Sequence, residues 1–184
     1  MTIHPDAPAS RYYQRHHGVW AGDYRFSIIS WPVFWSARLG LINRITLLNL
    51  ALASRFGIRV HMRTSLDASH VGRGEVVHTT VIGKFGIAFY ASREVFTLNP
   101  DGVSMALVRV QRLWPFSFCP LPQDTGWGSV SPDANGATYD WLWYDRRMTQ
   151  TTDADPEGLR LNQVSDWSSA TVLLRRIGED PTTS

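Results

Sequence analysis

Val19-Trp-Ala-Gly-Asp-Tyr-Arg-Phe-Ser-Ile-Ile-Ser30 alternates. Trp20, Tyr24, Phe26 and Ile28 share one parity, and Asp23, Arg25 and Ser27 share the other. Successive side chains of a strand point to opposite faces, so the period of two reads as a half-buried strand with a large aromatic face. Comparable segments follow at 58–66, 75–82, 87–98, 103–114, 137–144, 146–152, 159–164 and 170–176, the third of them long and bent near Ser92. Between them stand turn signals: Gly72-Arg-Gly74, Gly83-Lys-Phe-Gly86, Asn99-Pro-Asp-Gly102 and Asp155-Pro-Glu-Gly158. Even spacing with tight turns favours a mainly β fold, a single antiparallel up-and-down barrel of about nine or ten strands.

Residues 31–57 break the pattern. Trp31-Pro-Val-Phe-Trp35 opens the segment, and Leu39 to Phe56 is apolar nearly all round. Pro32 suits a helix start, Gly40 divides the segment, and Gly57 closes it as a C-cap. The expectation is a short helical lid inserted after the first strand. Membrane contact through 31–57 is the rival and is not favoured, since only Arg38, Arg44 and Arg55 supply a cationic face. The rest divides into an N-terminal arm (1–17), the barrel domain (18–177), a long loop inside it (115–137) and a flexible tail (178–184).

Composition agrees with one domain. The chain has 184 residues, 43% hydrophobic and 18% charged, with 8 Trp, 8 Phe and 6 Tyr. That length buries a full core without staples. Many rings at low charge point to buried strands or an aromatic-lined cavity. Net charge is +2, from 18 basic and 16 acidic residues, too balanced for a nucleic-acid surface. Cys119 is the one cysteine, which excludes an internal disulfide and any multi-Cys metal site, and it reads as a small buried hydrophobe. No signal-peptide pattern opens the sequence and no apolar run reaches bilayer length, so the expectation is a cytoplasmic protein.

Gly18-Val-Trp20 at the head of the first strand resembles the Gly-x-Trp motif of the calycins, the lipocalins and fatty-acid-binding proteins. The resemblance implies a Trp that closes the barrel floor beneath an Arg from the last strand, here Arg175 or Arg176. A guanidinium stacks on an indole while donating to carbonyls, so the pairing is physically sound. Thr138-Tyr-Asp-Trp141 loosely resembles a lipocalin turn, and the insertion after the first strand resembles the helical lid of fatty-acid-binding proteins. Gly18 to Gly22 also resembles the start of nitrobindin-type barrels. The last strands carry neither an Arg-x-Tyr pair for a fatty-acid carboxylate nor a His for haem, so neither ligand is implied.

The sequence has no phosphate loop, no zinc-protease helix and no nucleophile elbow. The adjacent His16 and His17 would face opposite sides of a strand, which argues against a metal pair, and no metal or other cofactor is implied. Several residues are nonetheless candidates. His61 and His78 lie on neighbouring strands, and either would serve as an acid or base if it faced the lumen, or would be a hydrogen-bonded outer histidine if not. Tyr90 is a candidate donor. Tyr139, Trp141 and Trp143 share a parity and would line or fill the barrel. Asp145 and Arg147 follow, as polar groups meeting a ligand or as a solvated hairpin. Arg109 shares a face with Met105 and Leu107, which is unusual for an unpaired Arg, so it would bind an anionic ligand head or pair with Glu75 or Glu94. Tyr24 and Phe26 complete the expected lining. Two functions remain: binding of a small hydrophobic molecule inside the barrel, or a cofactor-free isomerase, cyclase or lyase acting on such a molecule there. In the second case His78, His61, Tyr90 and Asp145 are the catalytic candidates.

Overall fold

A computed structural model describes residues 2–112, 126–143 and 146–179, and their side chains except those of Ile42, Phe89, 109–112, Leu142 and Trp143. Ten strands form a closed antiparallel barrel, with every strand beside its sequence neighbour and β1 closing against β10. They are β1 (Gly18–Ile28), β2 (Val60–Asp67), β3 (Glu75–Lys84), β4 (Ile87–Leu98), β5 (Ser104–Arg112), β6 (Gly126–Val130), β7 (Gly136–Trp143), β8 (Arg146–Asp155), β9 (Gly158–Ser165) and β10 (Ser168–Gly178). Two helices, α2 (Trp31–Ser36) and α3 (Leu41–Arg55), stand between β1 and β2. This is the closed antiparallel up-and-down barrel, with a helical insertion after its first strand, that the sequence predicts.

β1 carries the seam. It pairs with β2 from Gly18↔Leu66 to Tyr24↔Val60, and with β10 from Val19↔Gly178 to Ile28↔Ser168. Gly22 sits where β1 crosses closest to β10, and a Cβ there would strike the Leu173 carbonyl. Trp20 is buried, and its Nε1 donates to the His16 carbonyl at 2.9 Å. The Arg176 guanidinium lies 4.9 Å from the Trp20 ring centre and donates to the Arg15 carbonyl. Of the two arginines left open by the sequence, Arg176 makes the stack, while Arg175 pairs with Glu157 on the outside.

The structure corrects the reading of several segments. Residues 8–16, expected within an arm, form helix α1 (Pro8–His16), which presents Ala9, Tyr12, Tyr13 and His16 inward at helical spacing. Arg11 donates to the Pro132 carbonyl, and Arg15 to Asn135 Oδ1 and the Ala134 carbonyl, so α1 is tied across the β6–β7 turn. His16 is therefore a buried helix residue, and His17 accepts a hydrogen bond from the Ala68 amide. The loop expected at 115–137 contains β6 and the start of β7. Its remaining part, 115–125 with Cys119, lies outside the described residues, as do 180–184 of the expected tail. Thr138 to Trp141 lie within β7, not in a turn. The extra residue of β4 lies between Ala88 and Tyr90, opposite Ile82 and Gly83, and the β4–β5 pairing slips at Val95 and Phe96, where Val108 of β5 is unpaired.

The two barrel ends are closed differently. At one end α1 packs Tyr12 and Tyr13 among Leu98, Met105, Val130 and Tyr139. Tyr12 Oη shares a hydrogen bond with Thr152 Oγ1 (2.6 Å), and Tyr13 Oη shares one with Tyr139 Oη (2.8 Å). Burial raises the hydroxyl pKa of all three tyrosines, so they stay neutral. At the other end α2 and α3 meet β1. Phe34 and Trp167 are fully buried there, with ring centres 5.4 Å apart. Leu47 and Leu50 face the same core. Ser54 Oγ accepts the Phe26 amide (2.8 Å), and Arg44 donates to the carbonyls of Phe34, Ala37 and Leu39, fixing the bend between the helices. Among the described residues no helix is long and apolar enough to cross a membrane.

Two measurements test this account of the floor. Trp20→Ala should cost about 3–5 kcal/mol in denaturant unfolding, the range for deleting a buried ring, and a loss below about 1 kcal/mol would refute its plugging role. His16 should make stability pH-dependent. Burial holds its imidazole below the ordinary value of 6.5, the nearby Arg15 and Arg176 charges push the same way, and the Tyr12 carbonyl opposes them. The unfolded chain then takes up the proton first, so the contribution is full above the unfolded pKa and is lost as the pH falls toward the folded one. Wild type should lose stability between about pH 7 and pH 5, and His16→Asn should lose less over that interval.

Candidate ligand cavity

The closed barrel turns one side chain in two toward its axis, and the inward set does not fill the space. A cavity of about 120 Å³ remains between the barrel wall and α3. By the yardstick of about 10–15 Å³ per water, it has room for roughly ten water-sized groups. α3 contributes Thr46, Leu47 and Leu50. β1 contributes Tyr24 and Phe26, and Met62, Ile82, Phe96, Leu107, Met148 and Ala170 supply more apolar wall. Trp141 and Tyr90 add rings.

Polar groups interrupt this lining in two places. On the β2–β4 wall, Thr64 Oγ1 and His78 Nε2 share a hydrogen bond. His78 Nδ1 stands 3.7 Å from Glu94 Oε2, and Ser92 Oγ donates to Glu94 Oε1 at 3.0 Å. The side chains of His78 and Glu94 are 18% and 21% exposed, so the pair is largely withdrawn from solvent. Across the barrel, Tyr24 Oη donates to Gln163 Oε1 (3.1 Å), and Gln163 Nε2 donates to Gln150 Oε1 (2.9 Å). Below His78, Phe96 and Gln150 lies a second void of about 20 Å³, walled by Tyr12, Tyr13, Tyr139 and Thr152. Trp20, Leu66, Leu159, Leu161 and Leu174 complete its wall, so the void is mostly apolar.

The sequence-derived candidates divide. His78, Tyr90, Trp141, Tyr24 and Phe26 line the cavity together. Tyr139 and Met105 face inward but lie in the α1 floor, where both contact the Tyr13 hydroxyl. His61 is a correction. It is 65% exposed and pairs with Asp23 across the outer surface at 3.1 Å. Its strand neighbours Val60 and Met62 take the inner face, so His61 must take the outer one. Arg147 is a second correction. It is 66% exposed, is bonded to Asp140 at 3.0 Å and lies over the exposed Trp127 ring. The hydrogen bonds from Arg147, opposed by partial burial and aided by Thr149, hold the Asp140 carboxyl below its ordinary range. Arg109 and Trp143 belong to β5 and β7, but their side chains, and Asp145 altogether, lie outside the described residues.

Gln150 and Gln163 were missed, and Glu94 entered the sequence reading only as a pairing partner for Arg109. A signal existed, because Ser92, Glu94 and Phe96 share one parity on β4 and Phe96 marks that face as internal. Among the described residues no group of three or more His, Cys, Asp or Glu is placed to hold a metal.

No family model and no curated protein sequence matches the chain. Two solved structures are similar to it in fold. Fatty-acid-binding protein 1 of Echinococcus granulosus is 8% identical, with 89% of this chain and 98% of that one covered and a TM-score of 0.44. A variant of the fluorescent protein UnaG is 12% identical, with 89% and 96% covered and a TM-score of 0.36.

The two histidines of the sequence reading should separate on substitution. His61→Ala should shift unfolding free energy by no more than about 0.5 kcal/mol, as an exposed position does. Thr64→Val strips the partly buried His78 of its partner and should cost about 1–3 kcal/mol. Urea titration of both variants checks the assignment, and equal effects would contradict it.

Proposed function

We propose that the protein binds a small hydrophobic molecule inside the barrel, beneath a lid made by α2 and α3. The observation that carries this reading is the unfilled cavity itself. A barrel that served only as a scaffold would gain stability by packing that space, because voids forfeit dispersion contacts. Here Leu47 and Leu50 of α3 roof the space instead of filling it, and the wall combines rings with a few polar groups, the usual composition of a small-molecule site. Arg44, bonded to three carbonyls of the α2–α3 connection, supports the lid reading by joining the two helices into one unit.

One observation favours a second reading, a cofactor-free isomerase, cyclase or lyase on the same hydrophobic molecule. His78 Nδ1 stands 3.7 Å from Glu94 Oε2 at the cavity wall, a short shift away from the arrangement in which a carboxylate orients a histidine base. In that case His78 would move the proton, with Tyr90 as a candidate donor.

Native mass spectrometry of the protein purified from its own host tests the binding reading. A stoichiometric apolar compound, released on denaturation, is the expected result. Protein that is empty and stays empty after exposure to a host lipid and metabolite extract would overturn it. The released compound, returned to the protein and followed for turnover, then separates carrier from enzyme.

A further inference from the structure

We propose that the molecule held in the barrel carries a hydrogen-bond-donating head, an alcohol or an amine, that seats on Glu94, and that an acid head is rejected. The proposal rests on the binding reading above and names the class of ligand for it.

Glu94 is the acidic residue of the described cavity wall, and that wall contains no Arg or Lys among the described residues. Its two oxygens are not equivalent. Oε1 accepts from Ser92 Oγ at 3.0 Å. Oε2 is 3.7 Å from His78 Nδ1, beyond hydrogen-bonding distance, and accepts nothing else among the described residues. His78 cannot turn toward it without giving up Thr64, which holds the other ring nitrogen. The Glu94 side chain is 21% exposed, and an incoming N–H or O–H would give its second oxygen a charge-assisted partner in surroundings with little water. Charge-assisted hydrogen bonds of this kind are about twice as strong as neutral ones.

An acid head meets the opposite situation. Its carboxylate would sit against a second carboxylate with little solvent to screen the repulsion. The apolar side chains of Phe96, Leu107, Ile82 and Met148 in the same cavity then hold the body of the ligand whichever head it carries. Head preference is thus set by Glu94 and affinity for the body by its surroundings, so one experiment separates the two.

Isothermal titration of the full chain with phenylbutanol, phenylbutylamine and phenylbutyrate near pH 7 provides the test. The three probes share an apolar body and differ in the head. The alcohol and the amine should bind at least about tenfold more tightly than the acid, the size of effect expected from one charge-assisted bond gained or one like charge opposed. Glu94→Gln should bring the three within about threefold of one another. A wild-type preference for the acid would overturn the proposal while leaving the binding reading intact, and would turn attention to Arg109. An unchanged ranking in a folded Glu94→Gln protein would also overturn it. Failure of all three probes to bind folded wild type would overturn the binding reading and the proposal together. The wild-type ranking needs no variant, so the test survives if Glu94→Gln does not fold.

Discussion

Everything in this molecule follows from β1 pairing on both of its edges. Hydrogen bonding to β2 on one side and β10 on the other leaves the sheet without a free edge, which removes the usual template for strand addition. Closure also divides the side chains sharply, with alternate residues inside and the rest in solvent. The constraint explains the glycine at position 22, where β1 and β10 approach too closely for a Cβ. It also explains the position of Trp20, whose ring fills the narrowing end of the seam under Arg176.

A closed barrel still has two open ends, and this chain treats them unequally. The α1 end is sealed by hydrogen-bonded tyrosines and a buried imidazole, so its packing is specific and directional. The α2–α3 end is covered by apolar side chains of two helices whose outer faces expose Trp31, Trp35, Leu41 and Phe56. Directional contacts tolerate little movement, whereas an apolar roof can slide at small cost. The asymmetry places the hydrogen-bonded tyrosines beneath the cavity and the apolar side chains of α3 above it.

Much of the architecture was legible from parity. The strand at 159–164 is legible because Leu159 and Leu161 alternate with Arg160 and Asn162, and the helical insertion because Pro32, Gly40 and Gly57 bracket an apolar run. α1 escaped because its stripe consists of Ala9, Tyr12, Tyr13 and His16, residues that score as half-polar although they bury completely. β6 escaped because Gly126-Trp-Gly-Ser-Val130 looks like turn sequence. A Cβ at Gly128 would strike the Thr138 carbonyl and the Tyr139 ring, while one at Gly126 would press on Leu107. Parity also separated Arg147 from its inward neighbour Met148, yet the sequence reading had kept both faces open.

The amino-acid order alone established a one-domain antiparallel barrel, its helical insertion and the Trp20 motif, because these depend on local periodicity and on residues that act where they stand. It left undecided which histidine enters the lumen, which arginine covers Trp20, and whether the rings fill the interior or surround a space. Those depend on the absolute facing of each strand and on residues far apart in the chain. Glu94 lies beside His78 only because β3 and β4 pair in one register, and Gln150 meets Gln163 only because β8 and β9 do. Cavities belong to the sum of all inward volumes, and that sum exists only once the barrel has closed.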